Sequence, residues 1–181
     1  AWEAVLENAY DIIVTGEING EDTLTFSIPY RDSKRKYIDN EKKIQIVDDV
    51  YKIRTITDVK DSTGSTITQV YAEAEFYDLT FSVRKEEKKF DAETADVAMA
   101  YALADTEWSV GTVNVTTKRT WTSTEKNALS ILRSIANLHG GDLVFDCPNR
   151  LVHLLTVNGK DSGALFAYKK NMKSIERIVD T

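Results

Sequence analysis

From Thr23 to Ile28 the chain reads TLTFSI, polar and apolar side chains alternating at every step. A period of two puts Leu24, Phe26 and Ile28 on one side of an extended backbone, so the segment folds as a half-buried strand rather than a helix. Upstream, Tyr10, Ile12, Val14 and Ile18 fall on one face of a second extended segment. Asn19 and Gly20 between them tolerate positive φ, so the two segments form a hairpin. Glu21 and Asp22 are expected at its exposed tip, where charge costs least. Pro29 ends the second strand because it has no N–H for a ladder, and Gly16 suggests a bulge in the first. Further strands are expected at Lys43 to Val47, Val50 to Thr57 and Thr66 to Phe76, turning through Asp48 and Asp49 and then through DSTG, Asp61 to Gly64. The expectation is an antiparallel meander of four to six strands, curled into a small barrel or sandwich.

The period changes after RKEEKKFD, Arg84 to Asp91. Asp91 is positioned to cap a helix in which Ala95, Ala98, Met99, Ala102 and Leu103 recur at helical spacing. A strand with Val110, Val113 and Val115 follows. TSTE, Thr122 to Glu125, has the spacing of a capping box before a second helix with Ala128, Ile131, Leu132, Ile135 and Leu138 on one face. Gly140 and Gly141 stop that helix, and a hairpin runs from Asp142 to Asp146 and from Leu151 to Val157 through CPNR. The fold class expected is therefore α+β: a β-rich domain over residues 1–84, a two-helix α+β insertion over 85–165, and a returning segment over 166–181.

Composition excludes several functions. No apolar run approaches the roughly 20 residues that cross a bilayer, and no basic stretch followed by an apolar one opens the chain, so no membrane or secretory role is expected. One cysteine, Cys147, rules out an internal disulfide framework and a cysteine-rich zinc site and fits assembly in a reducing cytoplasm. A net charge of −6 opposes stable binding to nucleic acid, which draws on lysines and arginines that displace counterions. The basic clusters at Lys34 to Lys36 and at Lys169, Lys170 and Lys173 lie among acids and read as solvated charge. The chain opens at Ala1, and Lys173 to Thr181 reads as the start of an element, which suggests a piece of something longer.

The residues offer little chemistry. His139 falls at a helix end and His153 in a strand, and neither has a partner visible in the sequence that would orient it for proton transfer. Cys147 lies in a tight turn outside any nucleophile signature and reads as a bystander thiol. The acid pairs Glu21–Asp22, Asp48–Asp49 and Glu86–Glu87 occupy turns or linkers and define no cleft of the kind glycoside hydrolysis needs. Trp2, Trp108 and Trp121 read as core or interface anchors, with sugar stacking as the alternative. No catalytic, cofactor-binding or metal residue is expected, and no cofactor.

Three blocks carry a resemblance: the hairpin EINGEDTLTFSIP, the helix-to-glycine-to-hairpin block from Ser123 to Val157, and KSIERIVDT at the end. Together they resemble the N-terminal part of phage and prophage tail-tip proteins of the tail-associated lysin, or prophage endopeptidase tail, family, which are similar to baseplate hub proteins. The resemblance implies a structural hub at the virion tail tip, assembled as a homotrimeric ring and docked beneath the distal tail protein. It also implies that any peptidoglycan-cleaving activity lies C-terminal to this chain and that residues 166–181 begin a truncated second hub domain. Two alternatives stay open: a cell-wall carbohydrate or receptor-binding module, and part of a tail-associated peptidoglycan hydrolase.

Overall fold

The alternating segment forms the second strand of a five-stranded antiparallel sheet. A computed structural model describes residues 3–47, 49–60, 64–124, 126–157 and 159. The sheet contains β1 (Tyr10–Gly16), β2 (Asp22–Pro29), β3 (Lys43–Ile46), β4 (Asp49–Lys60) and β5 (Thr66–Ala74), in the order β1-β2-β5-β4-β3. It curls into a half-barrel. Leu24, Phe26 and Ile28 point to its inner face with Ile53, Val70 and Ala72, all buried. Only β3, β4 and β5 run as the expected meander. The opening hairpin attaches to β5 through β2, which is hydrogen-bonded on both edges and buried on both faces.

Two local expectations need correction. The irregularity in β1 lies between Tyr10 and Ile13, with Asp11 at φ 50°, whereas Gly16 pairs in register with Asp22. β5 stops at Ala74 because the chain tightens into a 3-10 helix, Glu75–Phe81. That turn brings Asp78 to Arg54 (2.6 Å) and Lys52 on β4, and Arg54 also meets Glu41 (2.8 Å) and Glu73 (3.2 Å). Asp48 and Asp61 to Thr63, expected in turns, lie outside the described residues.

The remainder is α+β. It comprises β6 (Val83–Arg84), β7 (Lys88–Thr94), α1 (Ala95–Leu103), β8 (Ser109–Val113), β9 (Lys118–Ser123), β10 (Lys126–Asn127), α2 (Ala128–His139), β11 (Asp142–Asp146) and β12 (Leu151–Leu155). Asp91 does not cap α1. It lies within β7, its carboxylate accepting from the Thr120 hydroxyl (3.2 Å), because Phe90 stacks on Trp121 of β9 (4.9 Å) and keeps the backbone extended to Thr94. The capping box is likewise displaced. Ser123 ends β9, Glu125 lies outside the described residues, and the α2 cap is Asn127, whose side chain accepts from Ser130 N–H (2.8 Å). Ala128, Ile131, Leu132 and Ile135 are buried as the spacing predicts, but Leu138 is exposed and His139 takes the inward position. Gly140 and Gly141 do stop the helix, at φ 82° and 108°. The Asp142 hairpin forms as expected, and β12 also pairs in parallel with β8, a long-range contact no local signal announced.

The hairpin tip is a clasp rather than an exposed loop. Asn19, held at φ 59°, donates from its amide to Gly141 C=O (3.1 Å) and accepts from Leu143 N–H (2.6 Å), and Arg133 donates to Gly20 C=O. Nearby Phe76 stacks on Phe145 at 4.0 Å, so the buried side chains of both segments join in one cluster. Asn19→Ala leaves the Leu143 N–H and Gly141 C=O without these partners and is expected to cost about 2 kcal/mol. Asn127→Ala, which removes a single cap, is expected to cost about 1 kcal/mol. Urea unfolding of both variants checks the order.

Candidate functional site

Every residue of β1 is exposed, although the strand reads YDIIVTG. Tyr10, Ile12, Ile13 and Val14 are each 39–58% exposed, and Ile18 beyond the strand is 65% exposed. Among the described residues β1 pairs only with β2, and its outer edge carries no strand there beside its apolar side chains. Free edges are normally blunted by lysine, proline or brevity, because an open apolar edge templates pairing with another strand. The opposite edge, β3, is blunted in that way: it has four residues, opens with Lys43 and follows Lys42. Between the two edges a trough of about 860 Å³ runs along the inner face, lined by Leu6, Ile12, Phe26, Ile44, Ile46 and others. The segment before β1 is held there by Glu3 to Lys42 (3.2 Å), Glu7 to Lys34 (3.1 Å) and Asn8 to Asp32 (2.6 Å).

A second cavity of about 620 Å³ lies where the hairpin tip meets the β11–β12 turn. Asp22, expected at an exposed tip, is half-buried here and accepts from the Tyr51 hydroxyl (3.0 Å). Burial pushes its carboxyl up, the Tyr51 bond opposes that, and the Asp49 charge adds to it. Glu75 is buried and ion-paired with Lys43, with Arg150 3.7 Å away. Cys147 lines the same cavity, its thiol pushed up to about 11 by burial and then by the Glu75 charge. A thiol held neutral is the opposite of an activated nucleophile.

The other residues singled out by sequence are dispersed. His139 is buried with Nδ1 2.9 Å from Thr117 C=O, and His153 Nδ1 accepts from Thr112 N–H at 2.8 Å, so both rings are bound to backbone in separate elements. Trp108 is buried beneath Arg150, whose guanidinium lies 5.2 Å from the ring centre, and so cannot stack on a sugar. Trp121 is half-buried against Phe90, and Trp2 lies outside the described residues. Glu21 accepts from Thr23 (3.0 Å), while Glu86 and Glu87 are exposed. Arg35 pairs with Asp58 (3.0 Å) and Lys34 with Glu7, whereas Lys169, Lys170 and Lys173 lie outside the described residues. Among the described residues no three histidine, cysteine or carboxylate side chains are grouped to hold a metal ion, and no helix is long and apolar enough to cross a membrane.

Comparison with known proteins supplies the context for the open edge. The prophage endopeptidase tail N-terminal domain matches residues 1–74, and the prophage endopeptidase tail domain matches residues 82–154. The chain belongs to the prophage tail protein family. The prophage tail protein gp18 from Listeria monocytogenes EGD-e has the same fold, with a TM-score of 0.75 over 94% of this chain at 13% identity. The tail protein from Neisseria meningitidis MC58 superposes at 0.58 over 90% with 14% identity, and the prophage MuSo2 43 kDa tail protein from Shewanella oneidensis at 0.56 over 85% with 14% identity. The chain spans 52%, 51% and 50% of these three proteins, about half of each. No curated protein matches it in sequence. A prophage tail protein has a structural role in a phage tail.

Two aspartates make the pH response of this tail protein testable with opposite signs. Burial opposes ionisation of Asp78, yet the bonds and charges of Lys52 and Arg54 hold its carboxyl below the usual range. Its contribution is present at neutral pH and is lost as pH falls through the lowered folded value. Asp22 is raised, so its contribution is present at low pH and is lost as pH rises through the folded value. Asp78→Asn is expected to destabilise at pH 7 by about 1 kcal/mol once solvent screening is allowed for, and Asp22→Asn to stabilise. The Asp22 difference shrinks as pH falls through its raised folded value and is gone by about pH 4, near the unfolded aspartate value, whereas the Asp78 difference fades only below that, and urea unfolding across both ranges reads them.

Proposed function

We propose that this chain is the N-terminal part of a tail-tip hub. In this reading three copies of the intact protein close a ring at the end of the tail tube, beneath the distal tail protein. The ring links the tube to host-contacting or wall-degrading parts. Residues 1–84 supply the ring domain, 85–165 an inserted α+β unit, and 166–181 the start of a second ring domain. The protein is made in the host cytoplasm and works in the virion tail.

The observation that carries the reading is the free apolar edge of β1 in a protein of the tail family. A heterologous ring needs surfaces that are incomplete in one copy and complete in the assembly. The net charge of −6 suits a subunit of a conduit, because a lining without clustered lysines does not hold passing DNA through counterion release. The chain itself performs no hydrolysis in this reading, and the backbone-bound His139 and His153 and the neutral Cys147 thiol are structural.

Light scattering on the full-length tail protein, alone and with its distal tail partner, is expected to give a trimer. A monomer under both conditions would remove the hub reading. Purified residues 1–181 are expected to leave no clearing in a cell-wall zymogram. Clearing that is abolished by alanine at His139, His153 or Cys147 would make the chain an enzyme.

A further inference from the structure

The end of β12 lies close to the end of β1. β1 runs to Gly16, and Asn19 just beyond it is bonded to Gly141 and Leu143 on the free edge of β11. On the other edge of β11, Asp142 pairs with Leu155. Leu155 therefore stands one strand spacing, about 5 Å, behind the strand that Asn19 grips. Asn114 holds the exit from β12, its side chain accepting from Thr156 N–H at 2.7 Å. The chain beyond Val157 thus sets out beside the Gly16 end of the open edge.

The sequence that follows suits that edge. It reads NGKDSGALFAYKKN, Asn158 to Asn171, of which residues 160–171 lie outside the described residues. Asn158 to Gly163 are turn formers, and six residues reach up to about 20 Å. Ala164 to Tyr168 form an unbroken apolar run, about the length of an ordinary strand, stopped by two lysines. That run is apolar on both of its faces. So is β1, where Ile13 lies on the outer face opposite Thr25 and Val14 on the inner face opposite Leu24.

We propose that Ala164 to Tyr168 add to the outer edge of β1 as one further strand, contributed by the same copy. A chain returning from the Gly16 end runs antiparallel to β1, the sense of every other pair in this sheet. Ile13 to Gly16 pair with β2 without a break, the irregularity lying before them, so this stretch takes the new strand. Ala164 opposite Gly16 sets Phe166 beside Val14 on the inner face and Ala167 beside Ile13 on the outer one. A one-residue slip would exchange the faces. The inference rests on the ring reading, in which residues 166–181 open the second ring domain. The added strand is then the joint between the two ring domains of one copy, and the ring closes where the second domain of one copy meets the first domain of the next.

Cysteine pairs in the full-length protein test it, in a Cys147→Ser background. Ile13→Cys with Ala167→Cys places the two thiols on adjacent strands about 5 Å apart and on one face, within disulfide range. Mild oxidation is expected to link them within one chain, as a 13-to-167 peptide from a band of monomer mass on a non-reducing denaturing gel. Ile13→Cys with Phe166→Cys, on opposite faces, is expected to stay reduced. Phe166→Asp is expected to speed hydrogen exchange of the β1 amides by about tenfold or more while those of β5 keep their rates.

A 13-to-166 disulfide would overturn the register. A disulfide joining two chains, no disulfide in either pair, or β1 amides indifferent to Phe166→Asp would overturn the strand addition. Each of these leaves the hub reading standing, since that depends on the trimer seen by light scattering.

Discussion

Two hydrogen bonds from one side chain fix how the halves of this molecule meet. Asn19 sits at the tip of the β1–β2 hairpin in the left-handed region that asparagine tolerates better than most residues. From there its amide group matches the free N–H of Leu143 and the C=O of Gly141 at the start of β11. β11 is an edge strand of the three-stranded sheet, so the asparagine side chain partly takes the place of a neighbouring strand. Arg133 from α2 adds a bond to Gly20 C=O and lies over the Tyr77 ring. The Phe76–Phe145 stack and the Glu75 ion pairs form around this contact, and the second cavity is the space left beside it.

The clasp explains why β1 is left bare. β2 is committed to β1 and β5 on its edges and buried on both faces, and its tip is committed to β11. The hairpin therefore cannot tilt inward to cover Ile12 and Val14. The outer face behind it is organised by Arg54, which draws Glu41, Glu73 and Asp78 together and anchors the 3-10 helix against the sheet. The outer face of the half-barrel is thus tied together by charge, and the β1 edge is left open by geometry.

How much was legible in the sequence varied with the range of the interaction. The Leu24-Phe26-Ile28 alternation, the α2 face from Ala128 to Ile135 and the glycine stop were readable because each is set by neighbours a few residues apart. The helix starts were misread for the converse reason. Asp91 and the TSTE run have the chemistry of caps, but Phe90 stacking on Trp121 and the β7–β9 ladder hold both segments extended. The candidate surface was half visible. Apolar side chains at Tyr10, Ile12, Ile13 and Val14 populate both faces of one strand, whereas alternation alone reads a half-buried strand with one apolar face.

The sequence by itself determined the α+β class, the hairpins and the second helix. These follow from periodicity, turn residues and residue type, all of which act over a few positions. Tertiary structure decided that β2 sits between β1 and β5, that β12 runs parallel to β8, that Asp22 is half-buried against Tyr51, and that β1 is an open edge. Each of these depends on which distant strand takes up a given row of hydrogen-bonding groups. That choice is made by competition among all the edges in the fold, and the strand that is left without a partner is the one that can meet another molecule.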